Sequence, residues 1–275
     1  ATAASAGGAA TLTFDGLTDQ EVTGNITAAS NNEGIINLTN GTRATSDIVT
    51  ITGNIGTSSA SIKSLTTAGA TTDLANVKVT GNVYITTIDH GEAATWGDQS
   101  TLTMDLDGNV DFTTFNITSG TNAATEIASV TVAGNMTGTT IALVDDALHG
   151  VSLLTLDGDS AQTIGAAITA SVTGEGNITV ANTAGTVTFS EKVGDSAGNA
   201  VETITLNTGT TSVFNKAVDS TAITATTTAS STFNAAVTNT NAITTGVGST
   251  TVFDSTVSSA TLSNSGAMTL KGAVT

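Results

Sequence analysis

The sequence predicts an all-β protein folded as a parallel β-helix, a β-solenoid, with coils of roughly 19–29 residues. Three observations carry this expectation. The composition favours strands, a Gly-Asn or Gly-Asp signature recurs through the first part of the chain, and a Phe-x-x-x-Val signature recurs through the second.

The composition comes first. Sixty of 275 residues are Thr, and Val, Ile, Leu and Ala dominate the apolar set. β-Branched side chains are stiff at χ1 and fit a pleated strand better than a helix. Hydrophobic residues make up 39% and charged residues only 11%. Disordered chains show the opposite bias.

Alternating runs end again and again in the first signature. They are Val49-Thr50-Ile51-Thr52-Gly53-Asn54, Val77-Lys78-Val79-Thr80-Gly81-Asn82 and Met104-Asp105-Leu106-Asp107-Gly108-Asn109. Val130-Thr131-Val132-Ala133-Gly134-Asn135 and Leu154-Thr155-Leu156-Asp157-Gly158-Asp159 continue the series, and Val22-Thr23-Gly24-Asn25 begins it. The glycines are 29, 28, 27, 26 and 24 residues apart. Alternation with period two means strands with one buried face. Glycine followed by Asn or Asp suits a tight turn with positive φ. A repeat of this length holds about three short strands, and stacked repeats bury what one alone cannot.

The second signature places Phe189/Val193, Phe214/Val218, Phe233/Val237 and Phe253/Val257 at steps of 25, 19 and 20, with Leu270/Val274 as a fifth copy 17 residues on. Equivalent residues of successive coils stack, so these four of the seven Phe should form an internal ladder. Charge changes along with the signature. Residues 1–160 hold 17 acids and 3 bases, and residues 161–275 hold 6 and 3. The expected organisation is an acidic segment over 1–165 and a Thr/Ser/Ala-rich segment over 166–275, as two parts of one solenoid or as two abutting domains.

Other β folds fit less well. An immunoglobulin-like sandwich uses a core Trp, a corner Tyr and turn prolines, but this chain has one Trp, one Tyr and no Pro. A propeller blade needs about 40 residues.

Composition also excludes functions. Without Cys there is no disulfide, Cys-ligated zinc or thiol nucleophile. Six bases against 23 acids, a net charge of −17, provide no footprint for nucleic acid. No apolar run of about 18 residues exists to span a membrane as a helix.

Candidate sites are few. His90 and His149 lie in Asp89-His90-Gly91-Glu92 and Leu148-His149-Gly150, and both are expected at the surface. Asp105 and Asp107 share a strand face by parity and offer a carboxylate pair of the kind glycosidases use. The aromatic platform for a sugar is missing, and Arg43 is the lone arginine. Calcium suits these acids better than catalysis, and an exposed acidic turn is the other reading. Asp105, Asp107, Asn109 and Asp111 place oxygen side chains at alternate positions, like the start of an Asp-x-Asp-x-Asn calcium loop. The match departs from an EF-hand, with Gly108 at the fourth position and Asn116 at the twelfth. Asp145 and Asp146 form another pair, and carboxylates at coil corners are candidate Ca²⁺ ligands between coils or molecules. Asn-x-Thr triplets begin at Asn25, Asn37, Asn40, Asn116, Asn135 and Asn177. An ice-binding Thr-x-Thr array requires constant coil length, which the drifting steps argue against.

In its repeat style and composition the chain resembles the β-strand repeat proteins of bacterial surfaces. These include autotransporter and filamentous-haemagglutinin-like adhesin passengers, and acidic Thr/Ala/Gly-rich surface-layer proteins. The resemblance implies a right-handed solenoid and a secreted, structural or adhesive role at the bacterial cell surface. It transfers no functional residue. The expected function is non-enzymatic self-assembly into a surface layer, sheath or filament. The alternatives are an adhesin passenger binding a host or cell-surface glycan receptor, and a polysaccharide-active β-helix enzyme. The start, Ala1-Thr2-Ala3-Ala4, reads as a mature N-terminus or as the start of a fragment. After Leu270-Lys271-Gly272-Ala273-Val274 no polar cap follows, so the expectation is more chain beyond Thr275 or cover from a neighbouring subunit.

Overall fold

The computed structural model describes residues 10–16, 18–38, 48–67, 76–91, 101–120, 126–145, 150–195 and 198–275. They form strands and connections, with no helix among the described residues. The strands of the first coils are β1 (Thr11–Thr13), β2 (Gln20–Val22), β3 (Glu33–Asn37), β4 (Ile48–Ile51), β5 (Ile62–Thr66), β6 (Asn76–Val79), β7 (Val83–His90), β8 (Thr101–Leu106) and β9 (Val110–Thr118). Next come β10 (Ile127–Val132), β11 (Met136–Val144), β12 (Val151–Leu156), β13 (Gln162–Ala170), β14 (Glu175–Val180), β15 (Thr186–Phe189) and β16 (Val201–Leu206). The last are β17 (Thr211–Phe214), β18 (Val218–Ala225), β19 (Ser230–Phe233), β20 (Val237–Thr245), β21 (Thr250–Phe253), β22 (Val257–Asn264) and β23 (Ala267–Leu270).

Odd strands make one sheet of 12 and even strands another of 11, each in sequence order. The pairing is parallel, as when β4 meets β6. A chain that visits two sheets alternately and advances one strand per visit is a parallel β-helix. Each coil thus contributes two strands, not the three that its length suggests. The third apolar position begins as single bridges, Ile26 to Ile55 to Val83 and Val193 to Val218, and is then taken into long strands, where Val83 pairs with Val110 and Val218 with Val237.

The chain forms two compact units. The first comprises Ala1–Thr139 and Asp145–Ser152, the second Thr140–Val144 and Leu153–Thr275.

In the first unit the alternating runs stack in register. One buried column is Ile51, Val79, Leu106 and Val132, joined at its start by Val22. A second is Val49, Val77, Met104 and Val130. The Gly-Asn corners stack as well, but for a different reason from the one expected. Only Gly24 of the series has positive φ, at 118°. A Cβ at Gly53, Gly81, Gly108 or Gly134 would lie 2.2–2.5 Å from the backbone of the preceding glycine. These glycines let the corner of one coil rest directly on the last. Asparagine completes the corner. Asn54 N–H donates to Asn25 Oδ1 (2.8 Å), Asn82 N–H to Asn54 Oδ1 (2.7 Å), Asn109 N–H to Asn82 Oδ1 and Asn135 N–H to Asn109 Oδ1 (both 2.9 Å). Backbone donors at the turn, which the sheets leave unpaired, are satisfied by the amide of the previous coil.

In the second unit the phenylalanine ladder is present. Phe189, Phe214, Phe233 and Phe253 are buried and paired in register. Their ring centroids are 4.4, 4.6 and 4.9 Å apart, and the planes lie within 12° of parallel. Val193, Val218, Val237 and Val257 stack beside them. Leu270 and Val274 continue both columns in register but remain 39% and 49% exposed.

Candidate functional site

The Asp105–Asp111 stretch bends across one Gly-Asn corner. Asp105 ends β8 with Leu106, Asp107 and Asn109 flank Gly108, and Asp111 enters β9. The corner therefore assigns the acids to different sheets. Asp105 and Asp107 meet the same cation, Lys78, which stands opposite Asp105 in the register of β6 and β8. Lys78 Nζ is 2.5 Å from Asp105 Oδ2 and 3.1 Å from Asp107 Oδ1. The hydrogen bond to Asp105 is the main cause that holds the ammonium above its ordinary pKa of 10.5, with Asp107 adding to it against partial burial. Lys78 was legible in the repeat itself. It occupies in Val77-Lys78-Val79 the position that Asp105 occupies one coil later, so a parallel stack brings opposite charges together.

Asn109 serves the corner ladder, its Oδ1 accepting from Asn135 N–H. Asp111 is exposed and opposite Tyr84. It lines a polar groove of about 230 Å³ with Tyr84, Asn31, Ser61, Thr86 and Thr113. Ser61 ties this groove together, donating to Asn31 Oδ1 (2.7 Å) and lying 3.2 Å from the Thr86 hydroxyl. Asp145 Oδ1 accepts from Ser152 N–H at 2.5 Å and pins the connection into β12. Asp146 lies outside the described residues, as do His149, Arg43 and Asn40. Among the described residues no three His, Asp or Glu side chains converge on one point. A larger hollow of about 380 Å³ has aliphatic walls from Leu12, Ile26, Ile35, Ile36 and Ile62, which belong to the core pattern of the first coils.

His90 is the clear correction to the sequence reading, which put it at the surface. Its ring is completely buried. The Thr67 hydroxyl lies 3.1 Å from Nδ1, and Nε2 lies 3.2 Å from the Leu102 carbonyl oxygen. Burial pushes the imidazole down to about 4, against the raising effect of the Leu102 and Ser129 carbonyls. The signal was parity. Alternation resets after Thr86-Thr87, so Ile88 and His90 both point inward. In the next strand Ile117 stands opposite His90.

The Thr columns also differ from expectation. Drift in step length does not disturb them, because Thr179, Thr205, Thr224 and Thr244 pair in register. Length changes are absorbed between strands and at a bulge inside β20, where one extra residue lies between Asn239 and Ala242.

No known family model, curated protein or solved structure matches the chain.

Proposed function

We propose that this chain is a non-enzymatic structural protein of the bacterial exterior, whose copies assemble into a surface layer, sheath or filament. The observation that supports this reading is the devotion of repeated side chains to stacking. Aliphatic columns, a corner asparagine ladder and a phenylalanine ladder each run from coil to coil. Such a build gives a stiff scaffold whose outward residues are free to make contacts between copies.

Charge governs how those contacts form. A net charge of −17 repels copies at neutral pH. Packing then uses the weakly charged face of residues 161–275, or cations that bridge the acids of residues 1–160. Ca²⁺ suits the second route because it takes several carboxylate and carbonyl oxygens. With Lys78 across Asp105 and Asp107, and Ser152 N–H on Asp145, the exposed Asp111 is the acid of these best placed to gain from calcium.

Electron microscopy of the purified protein tests both parts. Ordered sheets or fibres are expected with Ca²⁺, loosening on chelation and recovering with Ca²⁺ but not with Na⁺ at equal ionic strength. Assembly indifferent to chelator and to Asp→Asn changes at Asp105, Asp107, Asp111, Asp145 and Asp146 removes calcium from the reading. Monomers under every condition remove self-assembly itself.

A further inference from the structure

Neither structural stacking nor surface charge explains a titratable ring in the middle of the first unit's core. His90 is fully enclosed, in a strand whose other inward residues are Val83, Ile85 and Ile88. Its hydrogen bonds suit the neutral ring. The Leu102 carbonyl can only accept, so Nε2 carries the hydrogen. Gly91 N–H donates to Thr67 Oγ1 at 3.1 Å. Nδ1 of that neutral ring accepts, so the Thr67 hydroxyl donates to it. Every donor and acceptor in this small network is matched while the imidazole is neutral.

A second proton on the ring breaks the match. It must go on Nδ1, where it meets the Thr67 hydroxyl hydrogen. Thr67 must rotate that hydrogen away, and Thr67 is itself fully buried. Among the described residues no carboxylate acts on the ring to answer the positive charge. Lys63 on β5 and Asp111 on β9 are exposed. Asp105 on β8 is engaged by Lys78, and Asp89 on β7 accepts from Asn116 of β9 at 2.6 Å. Glu126, just ahead of β10, is buried but is not among the influences on the ring, which are burial and the carbonyls of Leu102 and Ser129.

We propose that His90 is a built-in acid release for the first unit: protonating this ring opens the coils around β5, β7 and β9, and the unit loosens at mildly acidic pH while the second unit holds.

The direction follows from linkage. An unfolded histidine takes its proton near pH 6.5, whereas in the folded core His90 resists protonation down to about 4. The stabilising effect of keeping it neutral is therefore full above pH 6.5 and is lost as pH falls from 6.5 towards 4. The limiting slope is about tenfold in the folding equilibrium per pH unit, and the whole window amounts to roughly two orders of magnitude.

Hydrogen exchange on the full chain reads this directly. After correction for intrinsic exchange, protection of peptides covering β7 and β9 should fall between pH 6.5 and 5, approaching tenfold per unit at the acid end. Peptides covering β17 and β19 should change little. In His90→Gln the β7 and β9 peptides should show a flat profile. A flat wild-type profile overturns the proposal, as does an unchanged slope in His90→Gln. If that variant does not fold, ¹⁵N-histidine spectra of His149→Gln decide the matter. His90 should remain a neutral Nε2–H tautomer in the folded protein at pH 5.5. A folded-state titration near pH 6.5 would overturn it.

Discussion

A glycine that is there for clearance behaves differently from one that is there for conformation. Gly108 is of the first kind, since a Cβ would come 2.4 Å from the Gly81 carbonyl oxygen. Backbone cannot move aside as a flexible side chain can. Gly108→Ala should therefore destabilise the first unit by about 3 kcal/mol, the upper part of the range for overpacking, as read by urea unfolding. The neighbouring asparagines act through one acceptor each. Asn82→Ala leaves Asn109 N–H without its partner and should cost about 1 kcal/mol. Asn82→Asp keeps an oxygen in place and should cost less at neutral pH. Lys78 is a weaker case despite its short contact. Its side chain is 35% exposed, and ion pairs of that kind contribute at most about 1 kcal/mol. Because its pKa is raised, that contribution is intact at neutral pH and disappears as pH rises through the folded-state value, above 10.5. Lys78→Gln should thus leave the urea midpoint nearly unchanged while strengthening the response of Asp105 and Asp107 to Ca²⁺, measured by calorimetric titration.

At the scale of strands, the second unit combines an aromatic interior with a hydroxylic one. Phe233 is stacked on both sides, between Phe214 and Phe253. Phe233→Ala should cost about 3–5 kcal/mol, and Phe233→Leu distinctly less, in thermal or urea melts. Two residues before the phenylalanines, the inward positions are Ser212, Ser231 and Thr251, all buried. Ser231 donates to Thr251 Oγ1 at 3.1 Å. Ser212 Oγ has no partner. Removing a buried hydroxyl without a partner relieves a desolvation cost, so Ser212→Ala should be neutral or stabilise the unit by up to about 1 kcal/mol. The phenylalanine ladder was readable because Phe is rare here and its spacing regular. The hydroxyl column was not, since Ser and Thr are so abundant that no spacing among them stands out.

For the chain as a whole, the parallel β-helix and the in-register stacking were legible because they rest on period and alternation, which are properties of sequence alone. The number of strands per coil was not. Length limits how much chain a coil contains, but pairing decides how much of it becomes strand. The candidate site was legible only in part. The acids of Asp105 to Asp111 were visible as a cluster, yet the corner sends them to different sheets and Lys78 arrives from the coil before. His90 was misplaced because flanking polar residues suggested a loop, while the parity of its own strand, once reset at Thr86-Thr87, turns it inward. Electrostatics belongs to this scale too. Self-repulsion between chains of −17 is long-ranged and weakens with salt. Monovalent salt alone should raise association modestly and without a threshold, followed by light scattering, whereas Ca²⁺ should act at far lower concentration.

The corner of Gly and Asn, each resting on its own counterpart one coil back, bears on how such a gene can change. A corner asks only that the preceding corner be alike, so one coil is interchangeable with another. Duplicating residues 82–108 within the first unit inserts a corner that finds an identical seat below and offers an identical seat above. Deleting a single residue inside β8 instead turns half a strand inside out, because strand faces alternate with every residue. Descent by whole-repeat duplication and loss is therefore open to this chain, while single-codon insertions and deletions are confined to the connections between its strands and to bulges such as the one in β20.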